Sequence, residues 1–306
     1  LAAKADLRVI SGIEKTLVLF HFELFPMEKI EPWTDSGGEE KSLHWYALTL
    51  GCYWIDTGVG ELFRYSPEIM TYWAQTYPEA WVYPYVNYQV SRLWEDLLDI
   101  LPTVLESVPI DSADYLPPGG KWNSWSDWEH WSDHAFEWAD SHEDEAGWDA
   151  MLGWDISGKA THWWSSRGLD SGYLTKPPRI NFWREGDQIC IRWDNRNQKR
   201  EGIPVWASAS GYMTLPIEAF IAEVQSFNDR LITQMAERVD AIQHHWSRPD
   251  ISIDLKGLVK AQQYRATLLS DILAQPAQQT DWEPVRAALA EMERYLAETT
   301  PQESTG

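Results

Sequence analysis

Residues 179–194 read RINFWREGDQICIRWD, and the fold class turns on them. Gly186-Asp187 is a two-residue hairpin signal between two runs of strand-forming residues. In the second run Ile189, Ile191 and Trp193 alternate with Cys190 and Arg192, the period of a half-buried strand. One face is then apolar, and Arg192 is expected on the other, towards solvent. Downstream, residues 203–209 are expected as a third strand, with 212–215 pairing to it through Ser210-Gly211. Pro216 opens the strongest helix. Ile217, Phe220, Ile221, Val224, Phe227, Leu231, Met235, Val239, Ile242 and Trp246 form one apolar stripe at steps of mostly three and four. Helices over about 254–275 and 282–298 follow, then a polar tail at 299–306 expected to be flexible.

Working upstream, residues 16–25, 43–50, 52–56 and 61–65 are strand candidates punctuated by Gly51, Gly58 and Gly60, as in an antiparallel meander. Ser66-Pro67 starts a helix, with Ser as cap and Pro in the first turn. Val86, Val90, Leu93, Trp94, Leu97, Leu98 and Leu101 mark a further amphipathic helix bounded by Pro102. Runs of strands followed by runs of helices predict an α+β fold, an antiparallel sheet with long amphipathic helices packed on it. A single domain over 1–306 is expected, because the helices at 84–102 and 216–246 each need a sheet to cover.

Pro117-Pro118-Gly119-Gly120 is the clearest break. Beyond it, residues 121–170 hold nine of the 20 tryptophans and four of the eight histidines, at a net charge of −8. Residues 121–160 are therefore expected as an acidic, Trp-rich helical insertion. Trp122, Trp125, Trp128 and Trp131 either pack it onto the body or form an aromatic platform.

The whole chain of 306 residues carries 47 acidic and 25 basic side chains, a formal charge of −22. That excludes duplex nucleic acid as a general partner, because phosphates need a basic footprint. Hydrophobic residues at 44% and charged residues at 24% fit a globular protein rather than a disordered one. No apolar run reaches the roughly 18 residues that span a bilayer, so no membrane partner is expected. Cys52 and Cys190 make neither a disulfide framework nor a CxxC pattern. They are expected as small buried thiols, which favours a reducing cytoplasm. Lys4, Asp6, Arg8, Glu14 and Lys15 leave no clean signal-peptide core at the start.

No nucleotide-binding glycine motif and no GxSxG elbow occurs, so no cofactor is expected. His130 and His134, at i and i+4, could share a zinc in a pattern that resembles HxxEH with Asp133 for Glu. The shorter Asp reaches a metal-bound water poorly, and two solvated histidines on an acidic helix are the plainer reading. No metal is expected. Residues 176–200 reverse the chain's sign, at net +4. Arg192 and Arg196 flank Asp194-Asn195 there, which suggests an anion or partner site; the plainer reading of Asp194-Asn195 is a turn. Arg92 and Asp96 stand at i,i+4, and Glu95 beside them could contribute to a carboxylate pair.

The motifs Leu43-His44-Trp45, Glu61-Leu62-Phe63-Arg64-Tyr65-Ser66, Pro84-Tyr85-Val86-Asn87-Tyr88, Arg92-Leu93-Trp94-Glu95-Asp96, Leu169-Asp170-Ser171-Gly172-Tyr173, Ile191-Arg192-Trp193-Asp194-Asn195 and Pro204-Val205-Trp206 occur in that order. Together they resemble a bacterial domain-of-unknown-function family, number 5984, over about 18–245, with 121–160 as the departure. The resemblance implies a cytoplasmic bacterial protein and brings no established activity. Tyr173 and Trp206, which lie in two of its motifs, join Arg192, Asp194, Asn195 and Arg196 as candidate binding residues. The expected function is an acidic protein-binding module, immunity- or antitoxin-like and without catalysis, since acidic surfaces steer capture of basic partners and aromatic residues favour interfaces. The alternative is an enzyme, either a metal-dependent hydrolase using His130 and His134 or one acting on a small anion near Arg192 and Arg196.

Overall fold

The computed structural model describes residues 18–34, 41–79, 82–113, 115, 149–246 and 248–299. In chain order the first half gives strands β1 (Phe20–Leu24), β2 (Trp33–Thr34), β3 (Lys41–Ser42), β4 (Leu50–Asp56) and β5 (Glu61–Leu62), helix α1 (Pro67–Thr76), β6 (Val86–Gln89) and helices α2 (Val90–Val104) and α3 (Ile110–Ala113). Helix α4 (Asp149–Ser165) leads into β7 (Ile180–Glu185), β8 (Gln188–Asp194), β9 (Lys199–Arg200), β10 (Ile203–Pro204) and β11 (Ser210–Pro216). Helices α5 (Ile217–His244), α6 (Leu255–Leu273) and α7 (Trp282–Thr299) complete it. The fold is α+β, and every strand pairing named is antiparallel.

Two sheets organise the core. In the first, β4 is central and pairs with β1, β5 and β6. In the second, β8 lies between β7 and β11. Helices α2 and α5 contact strands of both sheets, so most buried apolar side chains form one cluster around them. The hairpin at Gly186-Asp187 forms as the sequence predicts, with Glu185 opposite Gln188. Gly186 takes φ +60°, a conformation open to glycine at little cost. The helix stripe from residue 217 also holds: Phe220, Val224, Phe227, Leu231, Met235, Val239 and Ile242 are buried along α5. Ser66 caps α1 by accepting from the Ile69 amide at 3.1 Å. Both cysteines are free and buried, and burial pushes the Cys52 and Cys190 thiols up to about 11 and about 12.

Several expectations are corrected. The apolar run at 43–50 is not a strand: Ala47–Thr49 is a 3-10 turn, and the Thr49 hydroxyl closes it by donating to Tyr46 O at 2.7 Å. Residues 203–209 do not form a third strand beside 212–215. Pro204 lacks the amide a central strand needs, and among the described residues β10 pairs with the short β9 alone. Their place is taken by β11, which pairs with β8 along its whole length. Pro102 does not end α2; the helix runs on through Val104, whose burial with Leu97 and Leu101 outweighs one lost backbone bond.

The second sheet is covered on both faces. Ile180, Phe182, Ile189, Ile191 and Leu215 join the main cluster. Trp183 and Cys190 point the other way and join Ala160, Trp163 and Trp164 of α4 and Val285, Ala288 and Leu289 of α7 in a second cluster. The end of the stretch expected as an insertion, from Asp149, is thus helix packed against α7. The remainder of that stretch, with His130 and His134, lies outside the described residues, as does the tail beyond Thr299.

Candidate functional site

The residues expected to bind a ligand at 192–196 serve the end of β8. Arg192 keeps to the face opposite Ile191 and Trp193, which is also the face of Cys190 and the second cluster, and it is only 6% exposed rather than open to solvent. Asp194 and Asn195 are buried too. Asp194 forms an ion pair with the exposed Arg196. Asn195 spends both ends of its amide on the main chain: Oδ1 accepts from Arg179 N at 2.9 Å and Nδ2 donates to Ser208 O at 3.0 Å. Trp206, also buried, donates from Nε1 to Lys176 O at 2.8 Å and stacks on Tyr65 at 5.1 Å. Four of the six candidates therefore sit in one strand-end turn, with Trp206 in a loop beside Tyr65.

Tyr173 is placed elsewhere. Its hydroxyl donates to Asp96 Oδ2 at 3.1 Å and lies 3.1 Å from Tyr53 Oη. Its ring stacks on Tyr88 at 4.9 Å and lies under the Arg92 guanidinium at 5.1 Å. Asp96 is 5% exposed on α2. Burial raises its carboxyl to about 7, against the opposing pull of the Tyr173 hydroxyl and of Arg92. The expected Arg92–Asp96 pair is replaced by Arg92 Nη1 to Glu95 Oε2 at 3.7 Å. One turn of α2 thus carries two carboxylates facing different neighbours.

Glu95 connects this cluster to a cavity of about 400 Å³ lined by Leu43, His44, Trp45, Tyr46, Leu258 and Arg265, among others. Local sequence explains how its walls meet. Lys41 O in β3 accepts from Ser252 N at 2.7 Å, and Leu43 N, just beyond the strand, donates to Ser252 O at 3.3 Å. That fixes the entry to α6, whose first turn Asp254 caps by accepting from Gly257 N at 3.0 Å. Leu258, Ala261 and Arg265 then recur on the helix face that looks at Leu43–Tyr46. Trp45 is anchored by donating from Nε1 to Gln262 Oε1 at 2.7 Å, and Gln262 donates onward to Ile232 O at 3.0 Å.

Arg265 is the chemical centre of this cavity. Its side chain is nine-tenths buried, with the guanidinium carbon 4.5 Å from the Trp45 ring centroid and 4.4 Å from that of Tyr46. Nη1 makes a 3.4 Å bond to Ala261 O, Nη2 lies 3.8 Å from Glu95 Oε1, and buried Nε has no partner among the described residues. Tyr46 donates to the same Glu95 oxygen at 2.8 Å. Burial, helped by the Arg265 charge, lowers the His44 imidazole and favours its neutral form. At the cavity's edge Trp33, 49% exposed, meets His44 edge-on at 4.1 Å. Leu255, at the start of α6, is exposed as well. Two larger clefts, of about 460 and 590 Å³, are lined by charged side chains that are exposed or half-buried.

Sequence reasoning missed Arg265. It is one cation on an amphipathic helix, and only the folded chain sets it against Leu43–Tyr46. His44 and Trp45 were visible as part of a motif, without a role. Among the described residues no group of three or more His, Cys, Asp or Glu could hold a metal ion, and no helix is long and apolar enough to cross a membrane.

Comparison with known proteins gives one family: the sequence model of a family of unknown function, DUF5984, matches residues 19–288. No curated protein and no solved structure matches the chain.

Proposed function

The chain belongs to the family of unknown function DUF5984, and from that premise we propose a binding protein without catalysis, an acidic module of the immunity or antitoxin kind. The supporting observation is the pairing of exposed Trp33 with His44 beside an aromatic cavity whose floor carries a buried guanidinium. Aromatic anchors and arginine in desolvated pockets are where protein interfaces concentrate their binding energy. The net charge of −22 supplies long-range attraction for a basic partner. In this reading the partner is steered by charge and held by one side chain or chain end seated in the cavity.

The test is capture from the producing cell with the wild-type chain, Trp33→Ala and Ala261→Trp. Trp33 is half exposed and Ala261 lines the cavity, so both variants should keep the wild-type melting temperature. A partner retained by wild type, lost with both variants and weakened by salt supports the reading. Equal capture by all three chains would remove it.

A second reading rests on Asp96. A carboxyl near pH 7 beside a tyrosine hydroxyl is the equipment of a general acid or base. It moves the enzyme alternative from Arg192 and Arg196 to the α2 cluster.

A further inference from the structure

Arginine carries five N–H donors in one plane. Rings packed on the face of that plane gain cation–π attraction without consuming a donor. Arg265 has this arrangement against Trp45 and Tyr46, and its polar partners inside the protein are Ala261 O at 3.4 Å, the Tyr46 hydroxyl and an ion pair to Glu95 at 3.8 Å, while its Nε has no partner among the described residues. Burying a cation so weakly bonded is costly unless something completes its shell. Glu95 supplies a countercharge at 3.8 Å but no close hydrogen bond, and it is shared with Tyr46, which donates to its nearer oxygen, and with Arg92, 3.7 Å from the other. Most of the rest of the cavity is apolar or aromatic, from Leu43, Leu258, Ala261 and the two rings; His44 and Asp254, whose carboxylate is engaged in capping α6, complete the wall.

We propose that this cavity binds an apolar carboxylate, its hydrocarbon or aromatic part lying among Leu43, Trp45, Leu258 and Ala261 and its carboxylate on the guanidinium of Arg265. The shape of the donor set selects the anion. A planar guanidinium meets a planar carboxylate through two parallel N–H bonds, the strongest neutralising contact available in a dry site. A volume of about 400 Å³ admits a group the size of an indole or phenyl ring with its acid. His44 at the wall adds a hydrogen-bonding ring to the cavity. Two sources carry this chemistry: a free small acid, or the C-terminal residue of a protein chain with an apolar side chain. The inference rests on the cavity being the binding site proposed above, and it adds the class of group that fills it.

The probes are indole-3-propionate and its amide, and a Gly-Gly-Ser-Gly-Trp peptide as acid and amide, titrated into the intact protein by ligand-observed NMR and calorimetry. At the efficiency of ordinary small ligands the indole acid should bind with a dissociation constant of about 1 mM or below. The acid of at least one pair should bind at least tenfold more tightly than its amide. Arg265→Gln should erase that difference, and Ala261→Trp, which fills the cavity and leaves the cation in place, should abolish binding of all four. Binding of the small acid alone assigns a metabolite-sized ligand; binding of the peptide acid alone assigns a chain terminus; either supports the inference. Acid and amide binding equally would overturn the carboxylate while leaving the cavity as a binding site. No binding by either acid overturns the inference outright, and tight binding that survives Ala261→Trp places the ligand elsewhere and does the same.

Discussion

Arg167 and Glu106 form an ion pair inside the protein: Nη2 donates to Oε2 at 2.7 Å, and the Arg167 side chain has no exposure to solvent. Glu106 also accepts from the Thr280 amide at 2.5 Å, the Thr280 hydroxyl at 2.6 Å and Trp282 Nε1 at 3.2 Å. One carboxylate therefore ties the end of α2 to the end of α4 and the start of α7.

Glu106→Ala leaves the Arg167 cation buried and uncompensated, and removing one partner of such a pair typically costs about 3–5 kcal/mol. Denaturant unfolding should show a loss of that size, with α7 becoming the first site of limited proteolysis. A loss below about 1 kcal/mol would show that water replaces the carboxylate freely.

Asp96 gives a stability that depends on pH. Its native carboxyl, at about 7, holds a proton more tightly than the unfolded one at 3.8. Stability must then fall as pH rises between about 4 and about 7, with the full burden present above 7. Asp96→Asn mimics the protonated form. It should be near neutral at pH 4 and stabilising by about 1–3 kcal/mol at pH 8. The same difference at both pH values would refute the raised carboxyl.

Gly211 stands in β11 directly opposite Trp193. A Cβ built there would come within 2.1 Å of the Trp193 ring, which is buried and pinned by its Nε1 donating to Ser208 Oγ at 2.7 Å. Gly211→Ala should therefore destabilise by about 1–3 kcal/mol through overpacking, read as a lower melting temperature with quenched or shifted tryptophan fluorescence. An unchanged melting temperature would mean that the ring moves aside at little cost.

Ser66 does two things at once: it accepts from the Ile69 amide and donates to Pro204 O at 2.6 Å. A cap alone is worth about 1 kcal/mol. Ser66→Ala should cost more than that, and Ser66→Gly no less, because the lost bond to Pro204 is not a capping term. A glycine variant close to wild type would show that only the cap matters.

The parts legible in the sequence were those set by local period and punctuation. The 180–194 hairpin follows from Gly186-Asp187 and alternation, and α5 from its apolar stripe. What misled was composition without partners. Residues 43–50 are apolar enough for a strand, but Thr49 turns its hydroxyl back onto Tyr46 and bonds Ser91 at 2.8 Å, a choice made by α2. Alternation puts Arg192 on the correct face of β8, yet Arg192 is buried there, and no alternation in β8 can announce that its second face is covered. Tyr173 was named with Arg192, but the fold gives it to Asp96, and Arg265 acquires meaning only from the rings of Trp45 and Tyr46.

The double covering of the β7–β8–β11 sheet has a consequence for vectorial synthesis. The strands leave the ribosome well before α7, because α5 and α6 lie between them in the chain. For that interval the nascent protein can fold its inner core while Trp163, Trp164 and Trp183 lie without the cover of Val285, Ala288 and Leu289. Helix α7 thus seals an indole-rich surface that the cell must keep from aggregating until α7 itself has been made.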